Sequence, residues 1–598
     1  MLALVLAVVS PASVADDIAP LPSASPAPAI AGTTEEASTR SFRYSLVIAA
    51  PGVLGDVLAS SVGLARWRDY TDMTDELFDQ LARESVTEAR EAAATEGYFS
   101  ASIEITVDRT ATPAVVTLRI DEGDPTRIAE VAITVTGPAA TDVPAGTDAI
   151  AKLRSEWLLP SQAVFRQSLW DSAKTRAVAT LAASPYAAAS LSSSAAIIDP
   201  VQRSADLSVD IASGPPFRFG PLQVSGLSRY GETLVRNYNT IERGAPYSAR
   251  QVDEYARRLN NAGYFASVQA AIDTDPATAA DAPLRVGVIE APRRRIEFGI
   301  GYSTDAQFRA NVSYRDFDVD GAATQFIVDA RYETLVQSGS LRLVRPPNAG
   351  GWQDSAFARI EHTNVNDLIT RTAGFGVRRL SIEERDQWQF GAAMLYDQQF
   401  PLGADSSVSH ALYLDAERAW RRTDDLLSPT RGWVAVVQGG GGVPGASTRG
   451  FGRVVVRTQG WLPLSRDNDL TVRAEGGAVL AGSRVGVPST LLFRTGGETT
   501  VRGYKFESLG VQDGEATVGG RYFAIGSVEV THWFNSAWGI AAFVDGGNAV
   551  DQIQDFRIAW GYGLGARIRT PIGPFRFDLA YGQESRQLRL QFSVGVSF

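Results

Sequence analysis

The strongest constraint on the fold is a two-residue alternation of apolar and polar side chains in the second half of the chain. In residues 587–598 every second position is apolar, and the positions between them include Arg589 and Gln591. Successive side chains of a β-strand point to opposite faces, so this pattern predicts a strand with one apolar and one polar face. Many such strands, without apolar runs of helical length, predict a transmembrane β-barrel.

The composition agrees with a barrel. The chain has 598 residues and a mean hydropathy of −0.06, which is low for a helical membrane protein, because a barrel follows each outward apolar residue with an inward polar one. A net charge of −11 gives no support to a nucleic-acid partner. The chain has no cysteine and only three histidines, none of them paired at metal-ligand spacing, so we predict neither a cofactor nor a metal site.

The N-terminus predicts export from the cytoplasm. Residues 1–15 combine a short apolar run with a small-x-small pattern at 13–15, which is typical of a signal peptide. No lysine or arginine precedes Arg40, so the basic start of such a peptide is missing, which favours a true start upstream of Met1 over a weak signal. Residues 16–40 are dominated by Pro, Ala, Ser and Thr, and we predict a disordered lead-in there.

A local pattern recurs three times before the barrel. A short segment around Tyr98, Tyr186 and Tyr264 leads into alternating apolar residues, and the tyrosines lie 88 and 78 residues apart. This is the period of one small domain. Each segment follows an amphipathic helix, predicted over 73–94, 164–183 and 249–261.

Glycines end two of these helices. Gly97 and Gly263 directly precede the tyrosines, where a helix needs a residue that tolerates left-handed backbone angles. With a Gly/Pro turn between copies, the pattern predicts three tandem α+β modules over 41–122, 123–213 and 214–291.

Three motifs carry a family resemblance. They are Val501-Arg502-Gly503-Tyr504, the segment 543–547 around Asp545, and the segment 427–432, which reads Leu-Ser-Pro-Thr-Arg-Gly. These resemble the VRGY/F, FxDxG and LxPTRG signatures of the outer-membrane insertase superfamily, whose members carry periplasmic POTRA domains before a barrel. With three modules the chain is most similar to the TamA family, the outer-membrane subunit of the translocation and assembly module.

The resemblance implies the architecture. The three modules are expected to be βααββ POTRA domains in the periplasm, and residues 292–598 a 16-stranded antiparallel barrel in the bacterial outer membrane. Its first strand is expected over 295–304, with Ile296 and Phe298 directed outward.

The resemblance also implies a site. The loop that carries Val501, Gly503 and Tyr504 is expected to fold down into the lumen, where Arg502 would donate hydrogen bonds to inward carboxylates. Asp545 is the first expected acceptor. Glu529 is the second. With lumen water around it, such a pair is expected to contribute about 1 kcal/mol, so its role would be to place the loop.

The first and last strands must meet to close the barrel. Gly299, Gly301 and Gly595 lie at this seam and reduce the side-chain contacts along it, so we predict that the seam opens and pairs with an incoming strand. Phe592 and Phe598 are expected to belong to the C-terminal targeting signal of an outer-membrane barrel.

The implied function is non-enzymatic. The chain would aid insertion or secretion of unfolded outer-membrane and autotransporter-type substrates in contact with outer-membrane lipids, and its POTRA domains would dock a TamB-like protein anchored in the inner membrane. Alternatives are a BamA-like general insertase, a two-partner secretion transporter, and a scaffold for lipid transfer.

One further motif is discounted. Residues 316–321 imitate the start of a calcium-binding loop, but Ile327 occupies the position where such a loop needs a bidentate glutamate. We predict a hairpin turn at the periplasmic rim instead.

Overall fold

The computed structural model describes residues 42–305, 307–426, 429–570 and 573–594. The predicted signal peptide and lead-in lie outside the described residues, as do Gly595 and Phe598. The chain forms two compact units. One comprises residues up to 130 with 159–170 and 196–206, and the other comprises 131–158, 171–195 and the chain from 207 onward.

The first module is a three-stranded sheet covered by helices. Its elements are β1 (Tyr44–Ala49), α1 (Val53–Ser61), α2 (Gly63–Arg66), α3 (Asp75–Thr95), β2 (Ser102–Asp108) and β3 (Ala114–Asp121). The central strand β3 pairs parallel with β1 and antiparallel with β2. Helix α3 begins after Thr74, whose hydroxyl accepts a hydrogen bond from the backbone of Leu77 (3.2 Å) and satisfies a donor that the helix leaves unpaired. Phe78 and Leu118 are fully buried in the core.

The second and third modules repeat this order of elements. The second contains β4 (Arg127–Thr136), α4 (Ala145–Ser155), α5 (Gln167–Ala182), β5 (Ser190–Asp199) and β6 (Ser204–Ala212), and the third contains β7 (Phe219–Ser225), α6 (Glu232–Asn237), α7 (Ala249–Asn261), β8 (Phe265–Ile272) and β9 (Ala282–Glu290). The strand orders are β4-β6-β5 and β7-β9-β8. The predicted βααββ organisation is therefore confirmed, while the exact module boundaries stay predictions. Among the described residues, no helix is both long and apolar enough to cross a membrane.

The rest of the chain is a 16-stranded antiparallel sheet, as predicted. Its strands are β10 (Arg294–Ser303), β11 (Gln307–Asp316), β12 (Gln325–Glu333), β13 (Val336–Val344), β14 (Trp352–Val365), β15 (Leu368–Ser381), β16 (Asp386–Pro401), β17 (Ser407–Thr423), β18 (Gly432–Gly442), β19 (Phe451–Pro463), β20 (Asn468–Leu480), β23 (Tyr522–Trp533), β24 (Trp538–Val550), β25 (Ala559–Thr570), β26 (Gly573–Gly582) and β27 (Gln587–Val594). A separate hairpin, β21 (Val511–Asp513) and β22 (Ala516–Val518), lies in the long loop between β20 and β23.

The alternation of the first strand sets its two faces. Ile296, Phe298, Ile300 and Tyr302 are between 57 and 85 % exposed, and Phe298 lies opposite Val312 in the ladder with β11. An exposed apolar face of this kind is stable only against lipid.

The third module is attached to the barrel through the turn between β11 and β12. Phe317 and Ala323, both in this turn, are part of the hydrophobic core of the third module. The Tyr264 hydroxyl donates to the Ala323 carbonyl (2.7 Å), and Gln325 donates to the Ala262 carbonyl (3.0 Å). The segment that imitates a calcium loop is thus a rim turn, as predicted, and it has a packing role that the sequence did not indicate.

Two further turns on the same side of the barrel hold the module. Asn237 donates to the Pro347 carbonyl in the turn between β13 and β14 (2.7 Å). The turn between β15 and β16 forms two ion pairs with α7. Its Glu384 pairs with Arg257 of the helix (3.0 Å), and its Arg385 pairs with Glu254 of the helix (2.8 Å). One hydrogen bond from α6 and two partly buried ion pairs from α7 therefore hold the third module against these turns.

Gly263 offers a direct test of this attachment. Its φ is +81°, and a Cβ there would lie 2.6 Å from the Phe317 ring. We expect Gly263→Ala to cost about 1 kcal/mol for the backbone and a further 1–3 kcal/mol for overpacking. Limited proteolysis between the third module and the barrel should therefore be faster in this variant.

Gly244→Ala is the matched control, because Gly244 also has a positive φ (+83°) but open space where its Cβ would lie. Equal cleavage of the two variants would contradict the proposed tight contact with Phe317.

Candidate functional site

The long loop between β20 and β23, residues 481–521, turns into the barrel. Val528 and Val530 on β23 are exposed on the outer face, so Ser527 and Glu529, which alternate with them, point to the lumen. The loop reaches these inward side chains through Arg502. The sequence-predicted loop motif and its predicted acceptors are thus close together in the structure.

Arg502 forms hydrogen bonds with several strands of the barrel wall. Its Nε and Nη2 donate to the two carboxylate oxygens of Asp545 on β24 (2.7 and 2.9 Å), and its backbone N–H donates to the same carboxylate (3.0 Å). Its Nη1 donates to Glu529 (2.7 Å). The guanidinium carbon also lies 3.4 Å from the centroid of the Phe543 ring, at the distance of a cation–π contact. Both predicted acceptors are therefore bound at once.

Two residues that the sequence analysis did not select complete this charge network. Asp578 on β26 accepts a hydrogen bond from Arg502 Nη1 (3.1 Å). Arg567 on β25 binds Asp578 (2.6 Å) and donates twice to Glu529 (2.9 and 2.7 Å). Strands β23 to β26 each supply one carboxylate or guanidinium. The inward position of each residue was predictable from the alternation, but their proximity depends on the strand register.

The expectation of a solvated pair is wrong. Arg502 is 6 % exposed and Asp545 is fully buried, because the loop itself fills this part of the lumen. The energetic importance of a buried ion pair appears when one partner is removed. The other partner is then an unpaired charge in a region of low dielectric constant, and this costs far more free energy than loss of an exposed pair.

Glycines allow the loop backbone to lie directly on the wall. Gly496, Gly497 and Gly503 all have positive φ values, between 92 and 106°. A Cβ on Gly503 would lie 2.6 Å from the backbone N of Gly582 on β26, and a Cβ on Gly561 of β25 would overlap the Arg502 carbonyl. Glycines on both surfaces are therefore needed for this contact.

The flanking motif residues are also placed on the wall. Val501 and Tyr504 are buried in a small apolar cluster with Ile525. The Tyr504 hydroxyl donates to the Trp560 carbonyl (3.1 Å). Gln591 on β27 accepts from the Gly503 backbone and donates to the Tyr504 carbonyl (both 3.3 Å), which joins the loop to the last strand.

Few hydrogen bonds join the described residues of β10 and β27 across the seam. The sheet order runs from β10 to β27 without a ladder between these two strands in the described part of the chain. Thr304, directly after β10, accepts a hydrogen bond at its hydroxyl from the Phe592 backbone (2.7 Å), and its own N–H lies 3.5 Å from the Phe592 carbonyl. The hydrogen bonds described across the seam therefore lie just after the end of β10, at Thr304.

The predicted seam glycines differ in their surroundings. A Cβ on Gly301 would have no atom of the described residues within 4 Å, whereas a Cβ on Gly299 would meet the Asn311 side chain of β11. Gly595 lies outside the described residues.

A hydrogen bond between Glu498 and Asp305 connects the loop to the other side of the seam. The backbone N–H of Glu498 donates to the carboxylate of Asp305, which follows Thr304 (2.8 Å). Among the described residues, the buried Glu498 Oε2 has no hydrogen-bond partner. Burial, and then the charge of Asp305, raise the pKa of Glu498 to about 7. The loop therefore contacts Gln591 on one side of the seam and Asp305 on the other.

The described residues contain no group of three or more His, Cys, Asp or Glu side chains arranged to hold a metal ion.

Replacement of Arg502 by alanine should release the loop. Asp545 would lose its guanidinium partner while still buried, at a cost on the order of 3–5 kcal/mol to the docked loop. We expect faster protease cleavage within residues 481–521, while the barrel keeps the heat-dependent gel migration of a folded barrel.

Lys505→Ala is the control, because Lys505 lies in the same loop but is exposed. Identical cleavage of Arg502→Ala and Lys505→Ala would show that Arg502 does not place the loop.

The docking of the loop should depend on pH through Glu498. Its folded pKa of about 7 exceeds the ordinary value of 4.5, so the docked state binds a proton more tightly than the released state between these pH values. Docking is therefore favoured as the pH falls and weakens as the pH rises through 7. We expect protease cleavage of the loop to be faster at pH 8 than at pH 6, and Glu498→Gln to remove this difference. A pH effect that persists in Glu498→Gln would assign it to another group.

Comparison with known proteins places these features in a family. Residues 294–598 match the Omp85 superfamily domain. The chain is 25 % identical over 409 residues to the outer membrane protein assembly factor BamA of Nitratidesulfovibrio vulgaris, which covers 63 % of this chain and 50 % of that protein. It is 24 % identical over 470 residues to BamA of Neisseria meningitidis serogroup B, covering 66 % of this chain and 58 % of that protein. The chain thus spans about half the length of the curated relatives it matches.

A solved structure supports the fold. The crystal structure of BamA from Haemophilus ducreyi lacking POTRA domains 1–3 aligns with a TM-score of 0.51 at 16 % identity, covering 78 % of this chain and 99 % of that chain. The predicted outer-membrane location, with the POTRA modules in the periplasm, is confirmed by these comparisons. The specific resemblance to TamA stays a prediction. On the match of its barrel half, this chain belongs to the Omp85 superfamily.

Proposed function

We propose that this chain aids the insertion or secretion of β-barrel and autotransporter-type substrates by opening the seam between β10 and β27. The observation that carries the proposal is that, among the described residues, β10 and β27 form no ladder and are joined by the hydrogen bond between Thr304 and Phe592, beside a loop that contacts both sides of the seam. Every other neighbouring pair of barrel strands has an antiparallel ladder.

The physical argument concerns backbone groups at the two strand edges. Where β10 and β27 are not paired, their N–H and C=O groups have no partner from the opposite strand, and in lipid such groups are costly. An incoming strand can pair with them while its apolar side chains enter the lipid. The free energy of assembly would come from these two terms, without a nucleotide or cofactor.

The loop would couple the lumen to the seam. Arg502 fixes the loop on β23, β24 and β26, while Gln591 and Asp305 connect the same loop to the two seam strands. Movement of either seam strand would therefore disturb the loop. Conversely, a docked loop would favour the closed seam.

The POTRA modules would dock a TamB-like partner in the periplasm and receive unfolded substrates. Their sheets leave β2, β5 and β8 as edge strands with one unpaired side, which suits strand addition by a partner. The TamB-like identity of the partner rests on the resemblance in the sequence. Co-purification of a large inner-membrane protein from envelope extracts would support this identity.

A BamA-like general insertase is the second candidate, and the sequence similarity to BamA favours it. Co-purification of a set of lipoproteins in place of an inner-membrane protein would favour this candidate.

A disulfide across the seam tests the mechanism, since the chain has no cysteine of its own. We expect oxidised Thr304→Cys/Phe592→Cys, in liposomes, to stop the folding of an autotransporter barrel added from outside, because the seam is covalently closed. Reduction should restore folding. The measurement is the amount of protease-resistant substrate barrel.

A second disulfide is the control. Phe298→Cys/Val312→Cys joins β10 to β11, which are already paired, so its oxidation should leave substrate folding unchanged. If the oxidised seam variant folds substrate as fast as its reduced form, passage through the seam is ruled out.

A further inference from the structure

A cavity of about 590 Å³ lies at the periplasmic end of the lumen. One side of it is formed by helix α7 of the third module and by Tyr238, which follows α6. Residues of β12 to β16 form the other side. The turns that attach the third module therefore also enclose this cavity. None of its residues belongs to the loop site around Arg502.

Four arginines line the cavity against one carboxylate. They are Arg258, Arg342, Arg359 and Arg378, and the carboxylate is Glu384. Three of these charges are already paired: Glu384 with Arg257, Arg342 with Asp329 and Arg359 with Glu361. In the described part of the chain, Arg258 and Arg378 form no ion pair. The cavity therefore carries an excess of positive charge from two guanidiniums.

Arg258 is the buried member of this pair. Only 9 % of it is exposed, its Nη2 donates to the Thr240 hydroxyl (2.8 Å), and its buried Nε has no hydrogen-bond partner within the described ranges. Burial lowers the pKa of Arg258, while the charges of Glu384 and Glu254 raise it. A buried cation with an unused donor is expensive unless an anion approaches it.

Arg378 is the accessible member. It projects from β15 into the lumen and lies over the Phe357 ring, with 5.6 Å between the guanidinium carbon and the ring centroid. This contact holds its side chain near the cavity without neutralising it. Its neighbour Arg379 points to the outer face and binds Asp354 through two hydrogen bonds (2.7 and 2.8 Å).

The remaining lining favours a peptide over a lipid. Amide and hydroxyl groups interrupt its apolar part, among them Gln325, Gln353, Gln389, Ser340 and Ser355. Such groups can donate to and accept from peptide bonds, whereas an acyl chain would need a continuous apolar wall.

We propose that this cavity binds an acidic segment of an unfolded polypeptide, with Arg258 and Arg378 receiving its carboxylates. The inference rests on the proposed function, because the segment would belong to a substrate that enters the lumen from the periplasm. It adds a preference for acidic sequence at the periplasmic mouth, in a place distinct from the seam.

The test uses the purified full chain in detergent and a fluorescein-labelled Gly/Ser peptide with six aspartates. A peptide with asparagines in their place is the comparison. We expect fluorescence anisotropy to give tighter binding of the aspartate peptide, weakening as salt is added. Arg258→Gln and Arg378→Gln should each weaken it roughly three- to tenfold, the range for loss of a partly solvated, charge-assisted hydrogen bond.

Arg379→Gln is the matched control, since it removes the same charge one position along the strand on the opposite face. We expect its affinity to stay within about twofold of the parent. Arg378→Gln guards against misfolding of Arg258→Gln, because Arg378 is an exposed side chain on an intact strand.

Three results would each overturn the proposal. The first is equal binding of the aspartate and asparagine peptides. The second is an equal effect of Arg378→Gln and Arg379→Gln on binding. The third is binding of phosphatidylglycerol that depends on Arg258 and Arg378 while the aspartate peptide does not bind, which would assign the cavity to a lipid.

The oxidised seam variant distinguishes failure of this inference from failure of the proposed function. If it stops substrate folding while the aspartate peptide fails to bind, only the acidic-segment inference fails.

Discussion

The buried contact between Arg502 and Asp545 sets the position of the inward loop. A guanidinium and a carboxylate without water can persist only when nearly all of their hydrogen bonds are made, and here the acceptors come from β23, β24 and β26. Those acceptors meet only when the three strands are in register. The docked loop and the correctly paired carboxyl-terminal strands therefore stabilise each other, and an error in either would leave a charge unpaired.

The seam has the opposite character. The carboxyl-terminal strands form continuous ladders and a shared charge network, whereas β10 and β27 meet through Thr304 and Phe592. The loop contacts both sides, through Gln591 and Asp305. In the described part of the chain, the hydrogen bonds are therefore dense beside the seam and few across it. This contrast is the physical basis for the proposal that the barrel opens there.

The sequence allowed the fold and part of the site to be predicted, for separable reasons. Alternation identified inward and outward faces, and the family resemblance of the segments around Arg502 and Asp545 suggested Asp545 as the first partner of Arg502, with Glu529 as the second. Asp578 and Arg567 were missed because alternation gives the face of a residue but not the register that brings it to another strand. The burial of the pair was missed for a related reason: inward polar residues suggest water, and only the folded loop shows that water is displaced.

Gly263 shows the same limit in the third module. Its place at the end of a helix was evident from the sequence, but its closeness to Phe317 depends on a turn of the barrel. The described hydrogen bonds and ion pairs between the third module and the barrel turns all go to the β11–β16 side. A force that a periplasmic partner applied to this module would therefore load the barrel on one side. The described contacts would transmit that load to the turns between β11 and β16, while β27 takes part in none of them.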